Sequence, residues 1–127
     1  MTYDVTWGEN RSTFSFHDRI DINKIHEAHG VLHGSINYQH YHGTIWNFLD
    51  GDYSSIKLDQ VKEPAYVSKA ASFSVHYVKI ALVAKEKYIV DLCNEFVELY
   101  KKMDTSWEVR IFDSMDSAVQ WCHSKQN

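Results

Sequence analysis

The regular alternation of extended and helical patterns is the feature that most constrains how this chain can fold. Tyr3 to Trp7 and Thr13 to His17 carry large apolar side chains at every second position, and Gly8 to Asn10 lies between them. A period of two is typical of half-buried strands, and two such runs around a short Gly/Asn turn predict an antiparallel hairpin. Three more extended runs follow, each between helical patterns. The predicted order is therefore β-β-α-β-α-β-α-β-α.

The three later strands are expected at Thr44 to Asp50, Val78 to Ala84 and Glu108 to Phe112. The first is apolar on both faces apart from Asn47, and strands covered on both faces indicate a parallel sheet. We therefore predict an α/β fold with a single-layer, mixed, mostly parallel five-stranded sheet. The antiparallel hairpin forms its N-terminal part, and about four helices cover it. The length of 127 residues predicts one domain, residues 1–127.

Apolar stripes at helical spacing predict the covering helices. Asp21 is the expected N-cap of the first helix, whose stripe runs through His29 to Ile36, and Gly34 is its expected end. Pro64 suits the first position of the second helix, which should continue to Val75. The third and fourth helices are expected to carry their stripes on Ile89 to Met103 and Ala118 to Cys122, with Asp113 and Ser114 as caps of the fourth.

The charge balance argues against a nucleic-acid partner, and the short apolar runs argue against a membrane-spanning segment. Thirteen Lys and Arg residues against 17 Asp and Glu residues give a net charge of −4, which argues against a nucleic-acid binder with a basic stripe. The longest apolar stretch, Ile80 to Ala84, is far shorter than the ~20 residues of a membrane span. No basic-then-apolar leader opens the sequence. We therefore expect a cytoplasmic protein.

The two cysteines, Cys93 and Cys122, fall at inward positions of separate helices. This arrangement is typical of reduced core thiols in a cytosolic protein. A disulfide between them is the alternative that the sequence leaves open.

The second half of the chain resembles small bacterial STAS-like proteins (sulfate-transporter and anti-sigma-factor-antagonist domain). The residues that carry the resemblance are the strand Val78 to Ala84, the run Glu108 to Ser114, and then Ala118 and Trp121. The opening hairpin and the strand that ends at Asp50 fit the same pattern, so the resemblance covers essentially the whole chain. It implies a STAS-like fold. Because many stand-alone members have no assigned biochemical role, it implies less about function.

In anti-sigma-factor antagonists a phosphorylated serine opens the helix after the strand matched here by Thr44 to Asp50. An ungapped count places Asp59 at that position, and Ser54 and Ser55 come too early unless a gap intervenes. The resemblance therefore implies a module without the serine switch. Asp59 carries one negative charge where a phosphate carries nearly two, and the alternative is an ordinary surface aspartate at a helix start.

Charged residues follow several of the predicted strands at their carboxyl ends, where ligand sites of parallel sheets form. Lys85 and Lys87 precede a helix N-terminus, which favours anions. Together with Arg19, Asp50 and Asp52 they form a candidate ligand site. The alternative is ordinary charged loops, because neither GxGxxG nor GxxxxGK[ST] occurs. No cofactor is predicted.

A second candidate site is a histidine cluster on the first helix. His29 and His33 are spaced i, i+4, as in a helical metal pair, and His40 and His42 follow in the next loop. Neutral imidazoles suit Zn, Ni or Cu. However, His29 falls on the apolar stripe, so the alternative is a packed core histidine, with His26 and His33 facing solvent.

Aromatic residues are abundant, at 14% of the chain. We expect Trp7, Trp46 and Trp121 in the core, and the run Tyr38 to His42 on the surface. The alternatives are an apolar pocket between sheet and helices, or an interface patch at the Tyr/His run.

These observations predict a non-enzymatic STAS-like module that binds a protein partner or itself as a homodimer, with a regulatory role. Neither a nucleophile elbow nor another catalytic constellation is present in the sequence. One alternative is a protein that binds a small apolar or anionic molecule. The other is a histidine-based metal-binding protein or enzyme.

Overall fold

Five strands form one sheet whose spatial order equals their order in the chain. The computed structural model describes residues 2–8, 10–35, 42–73 and 77–123. The strands are β1 (Tyr3–Trp7), β2 (Arg11–Phe16), β3 (Gly43–Asn47), β4 (Lys79–Val83) and β5 (Glu108–Phe112). β1 pairs antiparallel with β2, and every other neighbouring pair is parallel. The predicted fold class is confirmed.

Four helices cover the sheet, three on one face and one on the other. They are α1 (Ile22–His33), α2 (Lys62–Ala71), α3 (Lys87–Lys101) and α4 (Met115–His123), and a 3₁₀ helix, Leu58–Val61, precedes α2. Each of the first three helices connects neighbouring parallel strands in the same direction across the sheet. Because such crossovers are right-handed, these helices lie on the same face. α4 covers the other face, over β3, β4 and β5.

Two apolar cores result, one on each face of the sheet. The larger core joins Phe14, Trp46 and Leu82 of the sheet to the buried sides of α1, α2 and α3. The smaller core joins Ile45, Ala81 and Val83 to α4. β3 and β4 supply side chains to both cores, which explains why their sequences are apolar at nearly every position.

The predicted capping residues lie at the ends of α1 and α4. The Asp21 carboxylate accepts a hydrogen bond from the backbone N–H of Lys24 at 3.0 Å, and α1 ends where Gly34 follows it. The Ser114 hydroxyl oxygen accepts from the N–H of Ser117 at 3.2 Å, so Ser114 caps α4.

Several element bounds differ from the prediction. Pro64 is the third residue of α2 and not the first, which the helix tolerates because N–H groups of the first turn have no intrahelical partner. β3 ends at Asn47 because the Asn47 side-chain oxygen accepts from the N–H of Leu49 at 3.1 Å and turns the chain. α2 ends at Ala71, and both Val75 and Ile36 lie outside the described residues.

The expected core position of Trp7 is wrong, because its side chain is 44% exposed. β1 is an edge strand, and Trp7 rests edge-on against Phe14, with ring centroids 6.0 Å apart. Trp46 is buried as expected. Trp121 is half-buried against Phe112 in the smaller core.

Both cysteines are free thiols. Cys93 lies in the larger core and Cys122 packs against the smaller one, so the sheet separates them and a disulfide between them is excluded. Within the described residues, no helix combines the length and the apolar character that crossing a membrane requires.

Candidate functional site

An apolar pocket lies between the sheet and its three-helix face. Its cavity measures about 70 Å³. Trp46 and Leu82 of the sheet form its floor, and α1, α2 and α3 form its walls. Nearly all the lining is apolar, and besides the indole N–H of Trp46 the polar side-chain groups are those of His29, Tyr53 and Cys93.

The pocket reaches the surface at the carboxyl-terminal edge of the sheet. Ile22, at the start of α1, and Phe48, directly after β3, line it and are partly exposed. The loops after β2 and β3 meet at this edge, where the N–H of Asp52 donates to the carbonyl of Asp18 at 2.7 Å and that of Ile20 to the carbonyl of Asp52 at 2.9 Å. The opening therefore lies where parallel sheets carry their ligand sites.

His29 is the polar residue of the α1 wall. It is 7% exposed, and its Nδ1–H donates to the Ile25 carbonyl oxygen at 3.0 Å. The imidazole stacks on the Trp46 ring, with centroids 4.5 Å apart and an interplanar angle of 21°. Burial lowers the His29 pKa to about 4, against a smaller opposing effect of the Ile25 hydrogen bond. The ring is therefore neutral at pH 7.

The other two polar side chains of the pocket are neutral as well. Burial raises the pKa of the Cys93 thiol to about 12, so the thiolate that would act as a nucleophile is scarce. Burial also raises the pKa of Tyr53, whose hydroxyl donates to the carbonyl of Asp50. The pocket is thus an uncharged, largely apolar environment.

Part of the predicted charged site is brought together beside the pocket opening. Arg19 and Asp52 form an isolated parallel bridge between the two loops. Hydrogen bonds from the Ser54 side chain and backbone lower the pKa of Asp52, and the Arg19 charge lowers it further. Asp50 contributes its carbonyl, which accepts from Tyr53.

The two lysines lie at the same edge of the sheet, but after β4 and not in the two loops that carry Arg19 and Asp52. Lys85 lines an open cleft of about 470 Å³ between the ends of β4 and β5, together with Asp113 and Ser117. Lys87 lies on α3, where its Nζ pairs with Asp91 at 3.1 Å. The five residues proposed as one site are therefore divided between two places, and ligand binding by either group stays a prediction.

The histidine pair is in contact without a complete ligand set. The rings of His29 and His33 lie edge to face, with centroids 5.7 Å apart, and His26 pairs with Glu63 at 3.5 Å. In the described ranges, no group of three His, Cys, Asp or Glu side chains could hold a metal ion. His40 lies outside those ranges, and His42 is exposed.

Asp59, at the position matched to the family's phosphoserine, is exposed in the 3₁₀ helix that leads into α2. Ser54 binds the Asp52 carboxylate, and the Ser55 hydroxyl donates to the Ile20 carbonyl at 3.3 Å. Of the Tyr/His run, residues 38–41 lie outside the described part of the chain.

The pocket residues that sequence reasoning missed come from turns as well as regular elements. Phe48 was expected inside β3, and Tyr53 and Ile56 fall in a stretch that had no clear pattern. The available signal was two aromatic residues, Phe48 and Tyr53, on either side of a Gly-Asp turn at the carboxyl end of a buried strand.

Comparison with known proteins identifies the fold. The structure is similar to that of an uncharacterised DUF3478-family protein with a SpoIIAA-like fold from Shewanella loihica PV-4. The TM-score is 0.56 at 9% identity, and the match covers 94% of this chain and 91% of that chain. The chain has a SpoIIAA-like, STAS-like fold. No family model and no curated protein matches the sequence. The similarity thus confirms the fold that the sequence resemblance implied and assigns no activity to this STAS-like protein.

Proposed function

We propose that this STAS-like protein is a non-enzymatic binding module whose ligand is a small apolar molecule held in the pocket under α1, α2 and α3. The supporting observation is the cavity itself, because cores of this kind are normally filled to near-crystalline density. Pockets with apolar walls and few polar groups are the usual form of small-molecule sites.

The size of the cavity bounds the ligand. An apolar cavity of ~150 Å³ can hold a benzene molecule, and this one is about half that size. The ligand therefore places a short hydrocarbon segment or a small ring inside and extends toward Ile22 and Phe48. An enclosed carrier of large lipids would need several times this volume.

The test is a toluene titration followed by NMR, with the tryptophan indole N–H resonances as reporters. Trp46 forms the pocket floor, whereas Trp121 lies on the opposite face of the sheet and serves as the internal control. We expect a saturable shift of the Trp46 resonance and a fixed Trp121 resonance. If Trp46 does not respond up to the solubility limit of toluene, the pocket is not a ligand site.

Protein interaction is the second candidate function, and an exposed stripe along α2 favours it. The stripe consists of Tyr66 and Ala70 on α2, Leu58 in the 3₁₀ helix that precedes it, and Phe73 two residues after its end. Leu58 is 51%, Tyr66 59% and Phe73 79% exposed. A second copy of the chain fits this stripe, because an antiparallel crossing centred on Ala70 places Tyr66 against Phe73 of the other copy and lets the backbones approach.

Sedimentation velocity over a range of concentrations tests this candidate. We expect concentration-dependent dimerisation that Tyr66→Lys and Phe73→Lys abolish. Val31→Lys is the matched control, because Val31 is an exposed apolar residue of α1 outside the stripe. A wild-type protein that stays monomeric, or a Val31→Lys variant that dissociates equally, contradicts the interaction through α2.

A further inference from the structure

The two ring nitrogens of His29 differ, because Nδ1 is hydrogen-bonded to the backbone carbonyl of Ile25 and Nε2 is not. The Ile25 carbonyl can only accept, so Nδ1 must carry the proton of the hydrogen bond that joins them. In a neutral imidazole the other nitrogen, Nε2, then holds a lone pair and can only accept. The Ile25 hydrogen bond therefore fixes the tautomer and turns Nε2 into a hydrogen-bond acceptor.

This acceptor belongs to a side chain that is more than nine-tenths buried at the pocket. Nδ1 points back along α1, so the opposite edge of the ring extends away from the helix backbone, over Trp46. His29 lines the pocket and also a neighbouring void of about 10 Å³. Ile25 is the hydrogen-bond partner found for His29 in the described part of the chain, and Nε2 is not among the fully buried polar atoms without a partner, so this atom keeps access to the space around it.

The other polar groups of the pocket do not compete for this role. The Tyr53 hydroxyl donates to the Asp50 carbonyl, the Trp46 indole N–H can only donate, and the Cys93 thiol is only a weak donor and acceptor. A purely apolar ligand would cover the Nε2 acceptor without supplying a donor, which costs free energy, and a ligand that supplies a donor avoids this cost. A charged ligand group is disfavoured because no lining residue of the pocket carries an opposite charge.

We infer that the pocket selects a small apolar molecule that carries a neutral hydroxyl group, such as a phenol or a short-chain alcohol, and that this hydroxyl donates to Nε2 of His29. The inference rests on the proposed ligand-binding function and adds the chemical class of the ligand. The ligand enters hydroxyl first, because Ile22 and Phe48 mark the opening and His29 lies a further two helical turns along α1.

Phenol and toluene form a matched probe pair, since they are similar in shape and differ by a hydroxyl in place of a methyl group. Both would be titrated into the wild-type protein and into His29→Phe, which keeps a ring over Trp46 and removes the acceptor. We expect His29→Phe to weaken phenol binding about tenfold more than it weakens toluene binding. His26→Gln is the matched control, because His26 lies on the same helix outside the pocket lining and should leave both affinities unchanged.

A second measurement needs no variant and therefore stands even if His29→Phe does not fold. In nitrogen-detected NMR of the histidine side chains, phenol should shift the Nε2 resonance of His29 toward that of a hydrogen-bonded nitrogen, and toluene should not. If toluene binds and phenol leaves Nε2 unmoved, or if His29→Phe weakens both probes equally, the hydroxyl inference is wrong while the pocket stands. If neither probe binds, the proposed function itself fails.

Discussion

His29 shows how one side chain can be both a core residue and a chemical feature of a site. Its position on the apolar stripe of α1 predicted burial, and the structure confirms it. The helical carbonyl of Ile25 satisfies one nitrogen, and Trp46 covers the ring face. The cost of burial falls on the charged form, so the protonation state of this residue is linked to folding.

Stability should fall between pH 6.5 and pH 4 because of His29. Burial holds its pKa at about 4 in the folded protein, whereas the unfolded chain restores the ordinary value of 6.5. Between these values the unfolded state binds more protons, so the free energy of unfolding falls as the pH is lowered. The loss over the whole interval is about 3 kcal/mol, of which about 2 kcal/mol is reached by pH 5.

Urea unfolding at pH 7 and pH 5 measures this effect, and His29→Phe isolates it. The variant has no titrating group at this position, so its stability should change less between the two pH values than that of the wild-type protein. Equal changes in both proteins would show that other groups carry the acid sensitivity.

At the scale of single elements, local patterns determined most of what the sequence could predict. β5 has the predicted bounds, and α1 begins after the predicted cap, because alternation and capping are properties of neighbouring residues. The predictions that were wrong concern residues whose side chains bond to the backbone or whose burial depends on distant elements. Asn47 ends β3 early through its own hydrogen bond, and Trp7 lies at the end of an edge strand, where it is 44% exposed.

The Asp21 cap of α1 should contribute measurably to stability. Asp21→Ala removes the acceptor for the Lys24 N–H and should lower the free energy of unfolding by about 1 kcal/mol. Asp59→Ala is a suitable control, because Asp59 is an exposed aspartate in the first turn of a 3₁₀ helix whose N-cap residue is Lys57. Chemical denaturation of the two variants gives the comparison, and equal stability of both would contradict the capping role of Asp21.

At the scale of the whole molecule, the sequence suggested a pocket between sheet and helices only as an alternative and could not identify its lining, because the walls come from elements distant in sequence. Most lining residues belong to ordinary core patterns, and only the folded arrangement leaves a space between them. The charged loop residues were more conspicuous in the sequence, yet the structure divides them between the two loops near the pocket opening and the cleft beyond β4. A void is a property of the assembled core and not of any one element.

The cavity should impose a cost in stability that a larger side chain can remove. Cys93→Met places a longer, flexible side chain at the pocket wall and should raise the free energy of unfolding by about 0.5–2 kcal/mol. The same change should abolish the response of Trp46 to toluene. Thermal unfolding and the NMR titration together check both effects. A destabilised variant that still binds toluene would show that the space at Cys93 is not the ligand site.

The agreement between chain order and sheet order has a consequence for how the protein is made. Each strand pairs with the strand that precedes it, so a nascent chain leaving the ribosome can add every new strand to an edge that already exists. The growing sheet never has to open to admit a later strand. α4 emerges last among the described elements, and until it does, Ile45, Ala81 and Val83 face water. The interval before α4 docks is therefore when this protein most needs protection from aggregation.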